Sequence, residues 1–224
     1  MAMPETRAEL PVPAGTVSSA WIAPKGAAAT LVVAHGAGAG LDHPFLAGFC
    51  RAMGDARVAT LRFNFPYVER GRRSPDPEGV LRETWLAAFG AATDRSKGRA
   101  VVAGGKSLGG RIASMCVADG MPATALVFLG YPLHPPGKPE RLRADHLERI
   151  SVPMLFLQGT RDPFARTELL EGVLERLGDR ATLVPVEGGD HSFRVRGQKA
   201  DDGEIGAALA GSAAPFVRGL AEGS

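Results

Sequence analysis

Three separated segments carry an alcohol, a carboxylic acid and an imidazole in settings suited to chemistry. Gly105-Lys106-Ser107-Leu108-Gly109 sets a serine between two glycines, after the apolar run AVVAG and before the helix-like stretch GRIASMCVA. A chain that turns sharply from strand to helix holds such a serine clear of its surroundings, and glycine at 105 and 109 leaves room where the flanking backbones meet. A free serine is a poor nucleophile and needs a base, which in turn needs an orienting group. The run PMLFLQ leads into Gly159-Thr160-Arg161-Asp162-Pro163, and TLVPV leads into Glu187-Gly188-Gly189-Asp190-His191-Ser192-Phe193. The chain has five histidines, and only His191 follows the last strand-like run in a glycine loop. The expected chemistry is acyl transfer, with Ser107 as nucleophile, His191 as general base and Asp162 orienting the ring. Asp190 is the rival acid, though adjacent side chains diverge, and Glu187 is a third choice. Asp162 also has a plainer reading, as a turn former before proline.

Charge developing on a substrate oxygen needs backbone donors. The Leu108 amide opens the helix after the serine. A second donor, Ala37, comes from His35-Gly36-Ala37-Gly38-Ala39-Gly40, which follows TLVVA. The same glycines could suggest a phosphate cradle, but Leu41 breaks G-x-G-x-x-G and no Lys-Ser/Thr pair follows. His35 reads as a structural histidine bonded to backbone, and His43 as a helix cap or pocket neighbour. Lys106, Arg161 and Tyr67 are candidate substrate contacts, together with the Arg70–Arg73 cluster. If these cations reach the pocket, an acidic substrate is favoured; solvated charges and ion pairs are the alternative. No H-E-x-x-H or C-x-x-C is present, so no metal is expected.

The elements that must position these groups alternate along the chain. Thr6–Val12 and Val17–Ala23 read as an edge hairpin. Six short Val- and Leu-rich runs follow: Thr30–His35, Ala56–Phe63, Ala100–Gly104, Ala125–Leu129, Pro153–Gln158 and Thr182–Val186. Continuous apolar runs of this length fit strands buried on both faces. Between and after them the spacing predicts helices over Pro44–Met53, Gly79–Asp94, Gly109–Ala118, Pro139–Ile150, Ala165–Leu177 and Glu204–Leu220, the last kinked or split by Pro215. Leu81, Trp85, Ala88, Phe89 and Ala92 form one apolar stripe. This βα order predicts a parallel sheet with helices on both faces, in one domain spanning 1–224. The three loops then leave the same, carboxyl end of the sheet, where such folds bind ligands. Asn64–Glu78 is the longest irregular piece. Gly130–Val152 holds only a proline-rich turn and one helix, too little for a large cap.

Composition excludes other classes. Of 224 residues, 45% are hydrophobic and 22% charged, with a net charge of +2, too small to argue for nucleic acid or a membrane surface. No run approaches the length needed to span a bilayer. The first residues lack an apolar signal region, and Cys50 and Cys116 read as two buried thiols, so a cytoplasmic protein is expected.

HGAGAG, DHPF, RFNFPY, GGKSLGGR, FLQGTRDPF and GGDHSF, in that order, resemble the small α/β hydrolases of the KANL/Tex-like hydrolase-domain family, distant relatives of dienelactone hydrolases and carboxylesterases. The resemblance runs from His35 to Phe193. It implies an α/β-hydrolase fold: an eight-stranded, mostly parallel sheet with the second strand antiparallel, helices on both faces and a minimal cap. It also implies a triad of Ser107, Asp162 and His191 and no cofactor. Dienelactone hydrolases proper use cysteine where this chain has Ser107, so their substrate does not carry over. The expected substrate is a small soluble ester or thioester. A non-catalytic, protein-binding use of the fold, or another enzyme class on it, such as a peptidase, is the alternative.

Overall fold

The computed structural model describes residues 4–221. One eight-stranded sheet runs through them: β1 (Glu5–Val12), β2 (Gly15–Ile22), β3 (Ala29–Ala34), β4 (Val58–Phe63), β5 (Val101–Lys106), β6 (Leu126–Leu129), β7 (Met154–Gly159) and β8 (Ala181–Val186). Their order is β1-β2-β4-β3-β5-β6-β7-β8. Strand β2 is antiparallel to both neighbours, and every other pairing is parallel. The eight expected strands are all present, with ends shifted by at most about two residues. The interior strands β3, β4, β6 and β7 are buried throughout. Their unbroken apolar sequences follow from having helices on both faces.

Six α-helices cover the sheet: α1 (Pro44–Asp55), α2 (Pro66–Glu69), α3 (Glu78–Ser96), α4 (Leu108–Ala118), α5 (Thr167–Leu177) and α6 (Asp202–Gly219). Two apolar cores result. One lies under α3, α4 and α5 and contains Trp85, Phe128 and Phe156. The other lies under α1 and α6 and contains Phe49, Leu129 and Leu209. The whole Leu81–Ala92 stripe is buried, and Trp85 Nε1 donates to the Gly109 carbonyl at 3.0 Å, pinning α3 to the start of α4. Helices α1 and α6 pack backbone against backbone: a Cβ at Gly48 would stand 2.9 Å from the Gly203 carbonyl carbon, and one at Gly206 3.1 Å from the Phe49 nitrogen.

Three helix expectations need correction. Over Pro139–Ile150 only a 3₁₀ turn forms, at Asp145–Arg149. Ala144, Leu147 and Ile150, three residues apart, are buried in the core, the spacing that a 3₁₀ turn aligns, and side-chain bonds hold the rest, from Tyr131 Oη to the Arg143 carbonyl and between Ser114 Oγ and His146 Nε2. Helix α5 begins at Thr167, because the Ala165 amide closes a turn on the Asp162 carbonyl. Helix α6 is continuous through Pro215. Its packing against α1 and its Asp201/Glu204 capping box offset the roughly 3 kcal/mol that an interior proline costs. The short α2, inside Asn64–Glu78, was not expected.

Both cysteines are buried and unpaired. Among the described residues, no helix is long and apolar enough to cross a membrane.

Candidate active site

Strand β5 ends at Lys106, and Ser107 turns the chain into α4 with φ 50° and ψ −113°, a conformation that L residues seldom adopt. The glycines around it are sterically required. A Cβ at Gly105 would lie 2.6 Å from the Gly110 nitrogen, and one at Gly109 2.6 Å from the Ala34 carbonyl carbon. Gly110 is equally constrained, its Cβ falling 2.7 Å from the Gly105 carbonyl oxygen.

The expected partners converge on this serine. His191 Nε2 stands 2.9 Å from Ser107 Oγ, and His191 Nδ1 is 2.7 Å from Asp162 Oδ2. With Nδ1–H donating to the carboxylate, Nε2 presents its lone pair to the serine hydroxyl. Asp162 is buried at 4% exposure. Its Oδ1 accepts from the Phe164 amide at 2.8 Å, and its Oδ2 also accepts from Gln158 Nε2 at 2.6 Å. Asp190 points elsewhere: its Oδ1 accepts from the Ser192 and Arg194 amides and braces the histidine loop. The Phe164 ring stacks on the His191 imidazole, centroids 4.2 Å apart.

The loop after β3 is fixed by His35. This buried ring donates from Nδ1 to the Gly36 carbonyl at 2.8 Å and accepts the Phe65 amide at Nε2, 3.2 Å away. Burial holds its pKa down to about 4, so the ring is neutral. In a trans peptide the N–H opposes the C=O. Tying down the Gly36 oxygen therefore leaves the Ala37 N–H pointing away from His35. Ala37 lines the cavity beside Ser107. The Leu108 amide is the first of α4 and has no intrahelical acceptor. The cavity holds about 300 Å³, with Phe45, Leu46 and Phe164 forming its apolar side. His43 accepts the Phe45 amide as the cap of α1 and also lines the cavity.

The proposed substrate contacts fare differently. Lys106 lines the cavity, but its Nζ is bonded to the His191 carbonyl at 2.6 Å. Tyr67 does not reach the cavity: it is fully buried under the loop, its ring 5.9 Å from that of His35. Arg161 lines a separate open cleft with Arg194 and Arg196. The Arg161 amide donates to the Gly189 carbonyl at 2.9 Å, tying the turn that carries Asp162 to the loop after β8. Arg70 and Arg72 are both spent on Asp76, at 3.0 and 2.6 Å, closing their own loop. Gln158 and Phe164, like Phe45 and Leu46 on the apolar side of the cavity, were not singled out from sequence. Gln158 had a signal, as the one polar residue in the apolar run MLFLQ, since a buried amide requires partners.

This fold and this constellation of loops define a class. The alpha/beta hydrolase domain family matches residues 27–214, and the chain belongs to that family. Solved structures with the same fold include a dienelactone hydrolase from Anabaena variabilis, with TM-score 0.76 and 21% identity over 96% of this chain and 97% of that one. A serine hydrolase without a lid from Xanthomonas campestris gives TM-score 0.75 and 20% identity, over 97% and 96% of the two chains. The esterase domain of a Rhodothermus marinus protein gives TM-score 0.71 and 16% identity, over 95% and 99%.

Proposed function

We propose that this protein is a serine hydrolase that cleaves small soluble esters or thioesters through an acyl-serine intermediate, and that within its family it stands beside the KANL/Tex-like hydrolases. The observation that carries the reading is the unbroken series Asp162–His191–Ser107, with links of 2.7 and 2.9 Å. His191 Nε2 takes the Ser107 proton as Oγ attacks the acyl carbon. The tetrahedral oxyanion is held by the Ala37 and Leu108 amides, each such donor contributing roughly 3 kcal/mol to the transition state. The imidazolium then protonates the leaving alcohol or thiol, and Asp162 stabilises its charge. Water enters, gives its proton to His191 and attacks the acyl carbon; collapse releases the acid and returns the proton to Ser107.

The cavity supports a short, uncharged acyl group. Its volume of about 300 Å³ is at the small end for ligand pockets. The cations around it already have acceptors, Lys106 on the His191 carbonyl and Arg194 on Asp202 at 2.6 Å, which argues against an acidic substrate. The lidless serine hydrolase and the esterase domain named above fit the same reading.

A fluorophosphonate probe tests it. Wild type should label and Ser107→Ala should not, and p-nitrophenyl acetate hydrolysis should vanish with the label. A folded wild type that takes no label and cleaves no activated ester would refute the reading and favour a binding module.

A further inference from the structure

Lys106 ends β5 one residue before Ser107, and its side chain crosses to the loop that carries His191. Its Nζ donates to the His191 backbone carbonyl at 2.6 Å and lies 5.5 Å from the centroid of the Phe193 ring. Strands β6 and β7 separate β5 from β8, so the loop after β8 must double back across their ends to bring the imidazole to the serine. Among the described residues, two hydrogen bonds join this loop to the Lys106-Ser107 segment: the His191–Ser107 contact itself and the Lys106 bond. The loop also carries Phe193 at φ 63°, a strained value for a side chain of that size.

The fold makes room for the bond. Gly130 follows β6 with φ +73°, and a Cβ there would stand 3.2 Å from Lys106 Nζ and 3.5 Å from the His191 oxygen. A half-buried ammonium needs a partner, and the carbonyl and the aromatic face supply it. We propose that Lys106 is a positioning residue, which sets the His191 imidazole against Ser107 by holding its backbone carbonyl. The inference rests on the serine-hydrolase reading and replaces the substrate contact that the charge of Lys106 suggested.

The clamp is sensitive to alkali. Burial brings the Lys106 ammonium down to about 8, against the pull of Asp162 and Asp190. Those carboxylates lie on the loops after β7 and β8; the cavity that Lys106 shares also carries His35 and His43 from the loop after β3, His191 and Arg194 from the loop after β8, and Asp202 of α6, while Gly130 packs on it from the end of β6. Above that pH a neutral amine donates more weakly and loses its attraction to the ring.

Lys106→Met and Lys106→Arg are compared with wild type on a neutral and a carboxylate-bearing p-nitrophenyl ester, from neutral to alkaline pH. Lys106→Met should lower kcat roughly 10- to 100-fold on both, with KM little changed. The alkaline fall in wild-type kcat near pH 8 should be absent in Lys106→Arg, which keeps its charge. A KM increase confined to the anionic ester with kcat unchanged would overturn the proposal in favour of substrate binding, as would a wild-type profile in Lys106→Met. A second readout does not depend on turnover. The His191 Nδ1 proton, bonded to Asp162, gives a downfield NMR resonance that Lys106→Met should shift or broaden. Loss of that signal in a protein whose wild type cleaves nothing would sustain the positioning role and remove the hydrolase reading. An unchanged resonance would sink the positioning role alone. Should Lys106→Met not fold, Gly130→Ala, which presses on the same bond, is read in the same way.

Discussion

Gln158→Leu removes the side chain that links Asp162 to the backbone just beyond the neighbouring strand β6. Gln158 is buried at 3% exposure, donates to Asp162 Oδ2 at 2.6 Å and accepts the Tyr131 amide at 2.8 Å. Leucine leaves the Tyr131 N–H unpaired, at about 1–3 kcal/mol, and deletes a bond to a charged acceptor contributing about 1.5–3 kcal/mol. The added apolar surface returns about 1 kcal/mol. The net loss is roughly 3 kcal/mol, a fall in Tm of about 6–12 °C for a chain of this size. The catalytic effect has a direction too. The oxygen freed by the substitution is the one His191 uses, while the Phe164 amide still holds the other. The carboxylate can then pivot away from the imidazole, and kcat should fall about tenfold, about 1.4 kcal/mol of barrier. Thermal unfolding and p-nitrophenyl acetate kinetics read both effects. A Tm within about a degree of wild type together with an unaltered kcat would show that Asp162 is held without Gln158 and would refute the reasoning.

Further outcomes follow from the same structure. The folded pKa of His35 is about 4, against 6.5 for an exposed ring. The unfolded chain therefore binds the extra proton between those values, and stability is lost as pH falls through that window, by about 3 kcal/mol. Denaturant unfolding across that window should show a flatter acid limb in His35→Gln, which does not titrate. Phe45→Leu enlarges the apolar side of the cavity, and a p-nitrophenyl ester series should show its optimum moved to longer acyl chains. Gly109→Ala drives a Cβ into the Ala34 and His35 carbonyls. It should cost on the order of 3 kcal/mol, read as a lower urea midpoint.

Legibility followed the physics of each element. Strands β3 to β7 could be read because burial on both faces demands continuous apolar runs, β8 showed the same composition although this edge strand is only partly covered, and α3 could be read because its stripe from Leu81 to Ala92 repeats every three or four residues. Ser107, Asp162 and His191 stood out as chemical groups in loops that a parallel sheet must bring to one end. Side-chain direction did not stand out. Lys106, Tyr67 and Arg161 lie near the right loops in sequence, but only packing decides that one grips a backbone carbonyl, one is buried and one faces another cleft. The 139–150 segment misled because its buried residues Ala144, Leu147 and Ile150 recur every three residues and are seated by a 3₁₀ turn, not by an α-helix.

The glycine-to-backbone seam between α1 and α6 has a consequence for how the molecule comes into being. The wall of the cavity formed by Phe45 and Leu46 belongs to α1, which rests on the last helix of the described chain. A nascent polypeptide still lacking α6 would have Ser107, Asp162 and His191 already synthesised but no seated wall beside them. Competence would then arrive late and all at once, when the final helix docks.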